Sequence, residues 1–368
     1  MKRRLKVSLL LELLVFVCFG CYAQVPSFHE DRTTVIAEVV DLKGGVLQLP
    51  KNVTLKFVKG GCFKNGTVVA DNTSIKGYKQ NVFDSITIAG QWNVEYICTD
   101  MFKDLSQVNS LKNLFALTSK TVKNVVIIED GTYKVSAEKI HMSILKVSSN
   151  TEVILNGTIV LIPNNLPSCN IIELNGQDIR FHGHGEIVGD KHTHLGTEGE
   201  WGMGIILRGC SNVDVYDLTI KDCWGDCIYV GAKSTEVRIN NCTLDHGRRQ
   251  GISITSAGNV LIENCIISNV GGTDPEYAID VEPNMNDVIE SVVINNVKAI
   301  NCKGGLLTWS GAKNSTINKV EISDCYVQGG AKDDYAFYFA NEVKIENCTS
   351  DRKFKPINNN CKSFNIIE

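Results

Sequence analysis

Glu236-Val237-Arg238-Ile239-Asn240-Asn241-Cys242 and Asn259-Val260-Leu261-Ile262-Glu263-Asn264-Cys265 are two copies of one pattern, apolar and polar residues in alternation closing on Asn-Cys. Further copies run Asn212 to Leu218, Val292 to Val297, Lys319 to Cys325 and Glu342 to Cys348. Their last positions, Leu218, Cys242, Cys265, Val297, Cys325 and Cys348, are separated by 24, 23, 32, 28 and 23 residues. Each copy but the last is followed by a shorter apolar stretch: Cys227 to Val230, Gly251 to Ile254, Ala278 to Val281, Gly305 to Thr308 and Ala336 to Phe339. Period-2 alternation marks strands. Repeats of this length leave no room for crossover helices, so each is one coil of a parallel β-helix, with coils stacking at about 4.8 Å.

Stacking gives each column of residues a meaning. Cys242, Cys265, Cys325 and Cys348 alternate with Leu218 and Val297. They therefore read as small hydrophobes in an interior column, reduced and not paired as disulfides. Asp217, Asn241, Asn264, Asn296, Asp324 and Asn347 precede them and form a polar column at a turn, where Asn and Asp tolerate the left-handed backbone.

Working outward, Glu152 to Thr158 and Asp178 to Gly183 extend the helix back to about residue 122. Met101, Leu105, Val108, Leu111 and Phe115 recur at helical spacing, which predicts a capping helix over 99–121. Short strands such as Val53 to Phe57 and Thr67 to Val69 predict a separate small β domain over 24–98. Residues 1–23 read as a signal peptide: Lys2, Arg3, Arg4 and Lys6 precede an apolar run from Val7 to Gly20, with a small-residue cleavage site before Gln24. Lipidation of Cys18 or Cys21 is the alternative. The chain is thus expected to be exported, in the periplasm, at the cell surface or secreted.

The composition agrees. The 368 residues are 43% hydrophobic with 31 Gly and only 7 Pro, which suits strands and tight turns and disfavours a helical bundle. Loss of residues 1–23 moves the net charge from −4 to about −7, which disfavours nucleic acid as a partner. No later stretch is long and apolar enough for a membrane helix.

Over residues 99 to 368 the pattern resembles the pectate-lyase-like superfamily of right-handed parallel β-helices, which includes polygalacturonases, pectate lyases and phage tailspike depolymerases. Ile179 to Gly189 looks like the Gly-rich coil ahead of the catalytic coils in polygalacturonases. Asp226-Cys227-Ile228 and Gln250-Gly251-Ile252-Ser253-Ile254 are similar to two further motifs of that family. The chain departs from them where the family carries a paired Asp, a His and an Arg-Ile-Lys: here stand Gly225-Asp226, Gln250 and Ala278-Ile279-Asp280. The resemblance implies an all-β, right-handed parallel β-helix with a substrate groove along one sheet, but not a standard polygalacturonase mechanism.

The short strands are the expected groove sheet. With Ile228, Ile252, Ile279, Leu306 and Phe337 inward, Tyr229, Ser253, Asp280, Leu307 and Tyr338 face out. One step along, Gly231, Thr255, Glu282 and Trp309 also face out. Loops entering these strands add Trp224, Asp226, His246, Arg248, Arg249 and Glu276. Asp226, Asp280 and Glu282 suit acid/base work on a glycosidic bond, while Asp280 and Glu282 are alternatively a calcium pair. No cofactor is expected unless calcium occupies that pair. Arg248 and Arg249 suit a uronate carboxylate, and Arg249 suits the base of a β-elimination. Tyr229, His246 and Glu276 are expected to contact substrate, and Trp201, Trp224 and Trp309 to stack on sugar rings. His182, His184, His192 and His194 fall within thirteen residues, with His182 on the turn column, but without the spacing of a zinc site. The expected function is an exported glycoside hydrolase acting on a polysaccharide, with a polysaccharide lyase or a non-catalytic glycan-binding β-helix as alternatives.

Overall fold

Alternation decides which side of each strand meets the core. In Thr235–Asn240, Val237 and Ile239 are buried while Glu236 and Arg238 are exposed, and the same division recurs in Ala257–Glu263 and Glu342–Glu346. In the computed structural model, which describes residues 25–77 and 80–367, the strands from Tyr96 onward build three parallel sheets of eleven, nine and nine strands, and a six-stranded parallel sheet precedes them. The eleven-stranded sheet holds the long strands. A second sheet holds three-residue strands such as Thr243–Asp245, and the third, called the groove sheet below, holds Ile228–Gly231, Ile252–Ile254 and Tyr277–Val281. The expected signal peptide lies outside the described residues.

Both predicted columns are present. Leu218, Cys242, Cys265, Val297 and Cys325 are each at most 2% exposed, and Cys348 is 8% exposed. All twelve cysteines among the described residues are free thiols. The six Asp and Asn of the turn column all adopt positive φ, between 50° and 59°. Asn241 Nδ2 donates to Asp217 Oδ1 at 2.7 Å and Asn296 Nδ2 to Asn264 Oδ1 at 2.8 Å. Side-chain amides thus satisfy one another where the chain turns. His182 is not part of this column: it pairs in register with Tyr216, so Gly183, with φ of 134°, takes the rung beside Asp217. A second left-handed column closes the short sheet, through Asp222, His246, Asn269 and Asn301.

Three expectations change. The capping helix over 99–121 is a single turn, Lys112–Ala116, after a short 3-10 turn at Thr99–Met101. Asp104 Oδ1 accepts from Ser106 N, Ser110 Oγ donates to Leu105 O, and Asn109 has φ of 63°. These local bonds compete with the helix. Met101, Leu105, Leu111 and Phe115 are still buried, but Val108 is exposed.

The strands over 24–98 are not a separate domain. They pair in parallel throughout, and Tyr96–Cys98 pairs directly with Asn124–Ile128. One apolar core runs from Ile36 to Cys348. The stack therefore begins near residue 33, and its first coils are filled by aromatics such as Phe57, Phe63 and Phe83.

In the groove sheet Leu306 is in register with Tyr335, and Trp309 with Tyr338. Phe337 still points inward, but opposite Thr308, two positions from where the repeat placed it.

Candidate active site

The register places Tyr229 beside Ser253 and Ser253 beside Asp280 on three successive strands. Two residues ahead of Ile228, Ile252 and Ile279 come Asp226, Gln250 and Tyr277, which occupy equivalent places in their coils. Gln250 joins the two columns. Its Nε2 donates to Asp280 Oδ2 at 2.8 Å and its Oε1 accepts from Tyr277 N at 2.9 Å.

Arg249 connects the acids. Its Nη1 lies 3.2 Å from Asp226 Oδ2 and 3.5 Å from Oδ1. Asp226 is 0% exposed and Asp280 is 2% exposed. Alternation places Asp280 on the groove face and an entering loop carries Asp226 towards it, yet both lie beneath the groove. Burial pushes the Asp226 carboxyl up to about 6, although Arg249 pulls it down. Asp280 is pushed well above the ordinary carboxylate range, first by burial and then by the charge of Glu282. Burial alone would lower the Arg249 pKa, but Asp226, Asp280, Glu200 and Glu282 outweigh it and hold the guanidinium charged. Arg249 Nε, Ser253 Oγ and Asp280 Oδ1 are buried without a hydrogen-bond partner in the protein.

Over this cluster lies a cleft of about 370 Å³. It extends from His141, ahead of the first strand of the groove sheet, to Asn284, just past the sixth. At about 4.8 Å per coil the cleft covers about 24 Å of the axis. Trp201, Tyr229, Thr255 and Arg249 line it. Glu282 is half-buried at its margin, its N bonded to Ile254 O beside Thr255. Thr255 Oγ1 donates to Tyr229 Oη at 2.7 Å, which fixes the phenol across the floor.

The expected constellation is therefore only partly assembled. Asp226, Arg249, Asp280 and Glu282 act on one another electrostatically, and Tyr229 and the exposed Trp201 border the cleft. Trp309 is exposed but does not line it.

Four others are used elsewhere. Trp224 has His194 stacked on it at 3.8 Å and the Arg248 guanidinium over it at 3.9 Å, so its faces are taken by protein and not by sugar. Arg248 also donates to Gly199 O at 2.8 Å and so holds a loop in place of a substrate. Glu276 accepts from Gly272 N and pairs with Lys332. His246 is bonded to Asp245 at 2.7 Å, on the turn that ends the short sheet.

Nor do the four clustered histidines converge. His182 pairs with Glu152 and stacks on Tyr216, His192 pairs with Asp222, His194 pairs with Asp190, and His184 is exposed.

The repeat pattern gives no sign of His141, Ser168, Asn170 and Arg208, which line the cleft one to three coils ahead of Asp226 and three to five ahead of Asp280. Asn170 is buried between the apolar Cys169 and Ile171 and donates to Ser143 Oγ at 3.1 Å. A polar residue inside such a run was the available signal.

Comparison with known proteins agrees on architecture. Residues 124–282 match the model of the right-handed β-helix region family. Two Bacillus subtilis (strain 168) proteins are similar: uncharacterized protein YclG, 30% identical over 41% of this chain, and the SPbeta prophage-derived uncharacterized protein YorA, 31% identical over 38%. The chain spans 31% and 28% of the length of these relatives. A hyperthermoactive exopolygalacturonase of Thermotoga maritima is similar in structure, with a TM-score of 0.48 and 16% identity, over 71% of this chain and 76% of that one. The matched region over 124–282, the parallel sheets and the stacked turn columns give this chain the fold of a right-handed parallel β-helix.

Proposed function

We propose that the chain is a glycan-cleaving enzyme that binds a polysaccharide along the groove sheet and hydrolyses a glycosidic bond over Asp280 and Glu282. One observation carries this reading: Asp280, a buried carboxyl that burial and the charge of Glu282 push well above the ordinary carboxylate range, stands two residues along the chain from Glu282, at the margin of an extended cleft. A protonated acid beside a carboxylate is the pair that glycoside hydrolysis needs. Asp280 then donates the proton to the leaving oxygen, and Glu282 serves as base or nucleophile. Asp226 and Arg249 set the field around them. Trp201 offers an exposed ring to a sugar face, and Arg208 and Arg249 offer guanidinium groups that favour a uronate-bearing chain. The apolar N-terminal run would deliver the protein outside the cytoplasm.

A non-catalytic glycan-binding β-helix is the second reading, favoured by the near-complete burial of Asp226 and Asp280. A panel of neutral and uronate-containing polysaccharides separates the readings. Release of reducing ends without a new ultraviolet chromophore supports hydrolysis. An unsaturated product, with calcium on Asp280 and Glu282, would replace it with elimination, and binding without turnover would leave a binding module.

A further inference from the structure

Away from the cleft, three side chains from separate turns meet at the far end of the short sheet. Asp222 and His246 occupy neighbouring rungs of the second left-handed turn column, with φ of 58° and 53°. The loop after Glu186–Val188 brings His192 against them: its Nε2 lies 3.1 Å from Asp222 Oδ1, and its ring centroid 5.2 Å from that of His246. One nitrogen of each histidine and one oxygen of Asp222 lie within 4.8 Å of one another. Ligands about 2.0–2.1 Å from a tetrahedral zinc ion sit roughly 3.3 Å apart, so modest side-chain rotation closes this set around an ion.

A fourth residue makes the arrangement more than a chance cluster. Asp245 Oδ2 takes the Nδ1 of His246 at 2.7 Å, and Asp245 Oδ1 is itself held by Ser268 Oγ at 2.6 Å and Asn269 Nδ2 at 2.8 Å. A carboxylate fixed on one imidazole nitrogen sets the tautomer and turns the other outward as a ligand, which is how metal-bound histidines are oriented. The charge balance also suits a dication. Asp222 and Asp245 are acidic, and Lys191, beside His192, points its ammonium to Gly271 O at 2.9 Å.

We propose that His192, Asp222 and His246 form a binding site for one zinc-like divalent transition-metal ion, with Asp245 as the residue that orients His246. Two imidazoles and one carboxylate are a borderline donor set, matched to zinc and not to calcium or magnesium. The ion ties the loop over residues 189–200 to two turns of the β-helix. That loop runs directly into Trp201 at the cleft, so the metal acts as a clip on the cleft wall. The inference does not depend on the glycosidase reading, because its test needs no substrate.

The test uses the full chain stripped with a chelator, titrated with Zn²⁺ by calorimetry and with Co²⁺ by visible absorption. One saturable equivalent is expected, lost in His192→Ala and in His246→Ala and weakened about 10- to 100-fold in Asp245→Asn. His184→Ala, on an exposed histidine outside the cluster, retains it. Zinc should also slow tryptic cleavage after Lys191 in the wild type and not in His192→Ala. Chelated variants must unfold at the wild-type chelated midpoint, which separates ligand loss from misfolding. Absence of saturable binding by the folded wild type, or unchanged binding in both histidine variants, overturns the proposal.

Discussion

Replacing Asp226 with asparagine should change how stability depends on pH by an amount fixed by the burial of that carboxyl. Its pKa rises from 3.8 in the unfolded chain to about 6 in the folded protein. A raised folded pKa means that the folded state holds the proton more tightly. The corresponding stability is fully present below pH 3.8 and is lost as pH rises through about 6. At about 1.4 kcal/mol per pH unit, the difference of about 2.2 makes this contribution about 3 kcal/mol. The amide of the variant has no such proton to lose. The variant therefore lacks this slope and keeps every other one, apart from the coupling to Arg249. Urea unfolding free energies, collected for both proteins between about pH 3 and pH 8, should give a difference curve that moves by about 3 kcal/mol in the variant's favour between about pH 4 and 6.5. A constant offset from stranding the Arg249 guanidinium is superposed and does not alter the shape. A flat difference curve would mean that Asp226 titrates as an exposed carboxyl does, and the buried acid cluster would have to be abandoned.

Three further outcomes follow from the same geometry. Asp280→Asn keeps an acceptor for Gln250 Nε2 but cannot donate a proton to a leaving group, so it and Glu282→Gln should each lower turnover roughly 100- to 10,000-fold, read as reducing-end release, while the protein stays folded. Asn264→Ala forces an alanine to φ of 56° and cuts the amide bonds to Asn240 and Asn296; it should cost about 1–2 kcal/mol for the backbone alone, and Asn264→Gly should recover most of that in thermal unfolding. A thiol reagent without reductant should titrate twelve cysteines from residue 25 onward in denaturant. Of these twelve, only the half-buried Cys62 and Cys361 should react in the folded protein, and slowly, because burial raises both thiols.

The coils from residue 122 onward were legible because a strand's period is two residues and a stack repeats its columns. Val237, Ile239 and Cys242 announce their side by alternation, and Asn241 announces its turn because so few residues tolerate positive φ. The N-terminal coils were not legible because their repeats differ in length: Cys62–Gly77 is one strand of 16 residues that pairs with four others. The capping helix failed for a different reason. Helical spacing of Met101, Leu105 and Leu111 reports only that these side chains share a buried face, and an irregular chain pinned by Asp104, Asn109 and Ser110 buries them as well.

For the site, the sequence placed the acids on the correct coils and misjudged their depth, and depth decides the chemistry. An arginine abstracts a proton only after losing its own, which requires that its surroundings disfavour the cation. Arg249 is in the opposite setting, 3.2 Å from Asp226 and within the field of Asp280, Glu200 and Glu282. The same burial that raises Asp280 draws Arg249 into the cluster as the neutralising charge, so the protein favours a proton on Asp280 and keeps one on Arg249. Under the proposed hydrolysis, a protein arranged this way would have an acid to offer a leaving oxygen and no free base in its arginine. Elimination would need its base from elsewhere in the cleft. Arg249→Lys discriminates: a lysine preserves the charge beside Asp226 and should leave measurable hydrolysis, whereas an elimination that ran through Arg249 would lose its unsaturated product altogether.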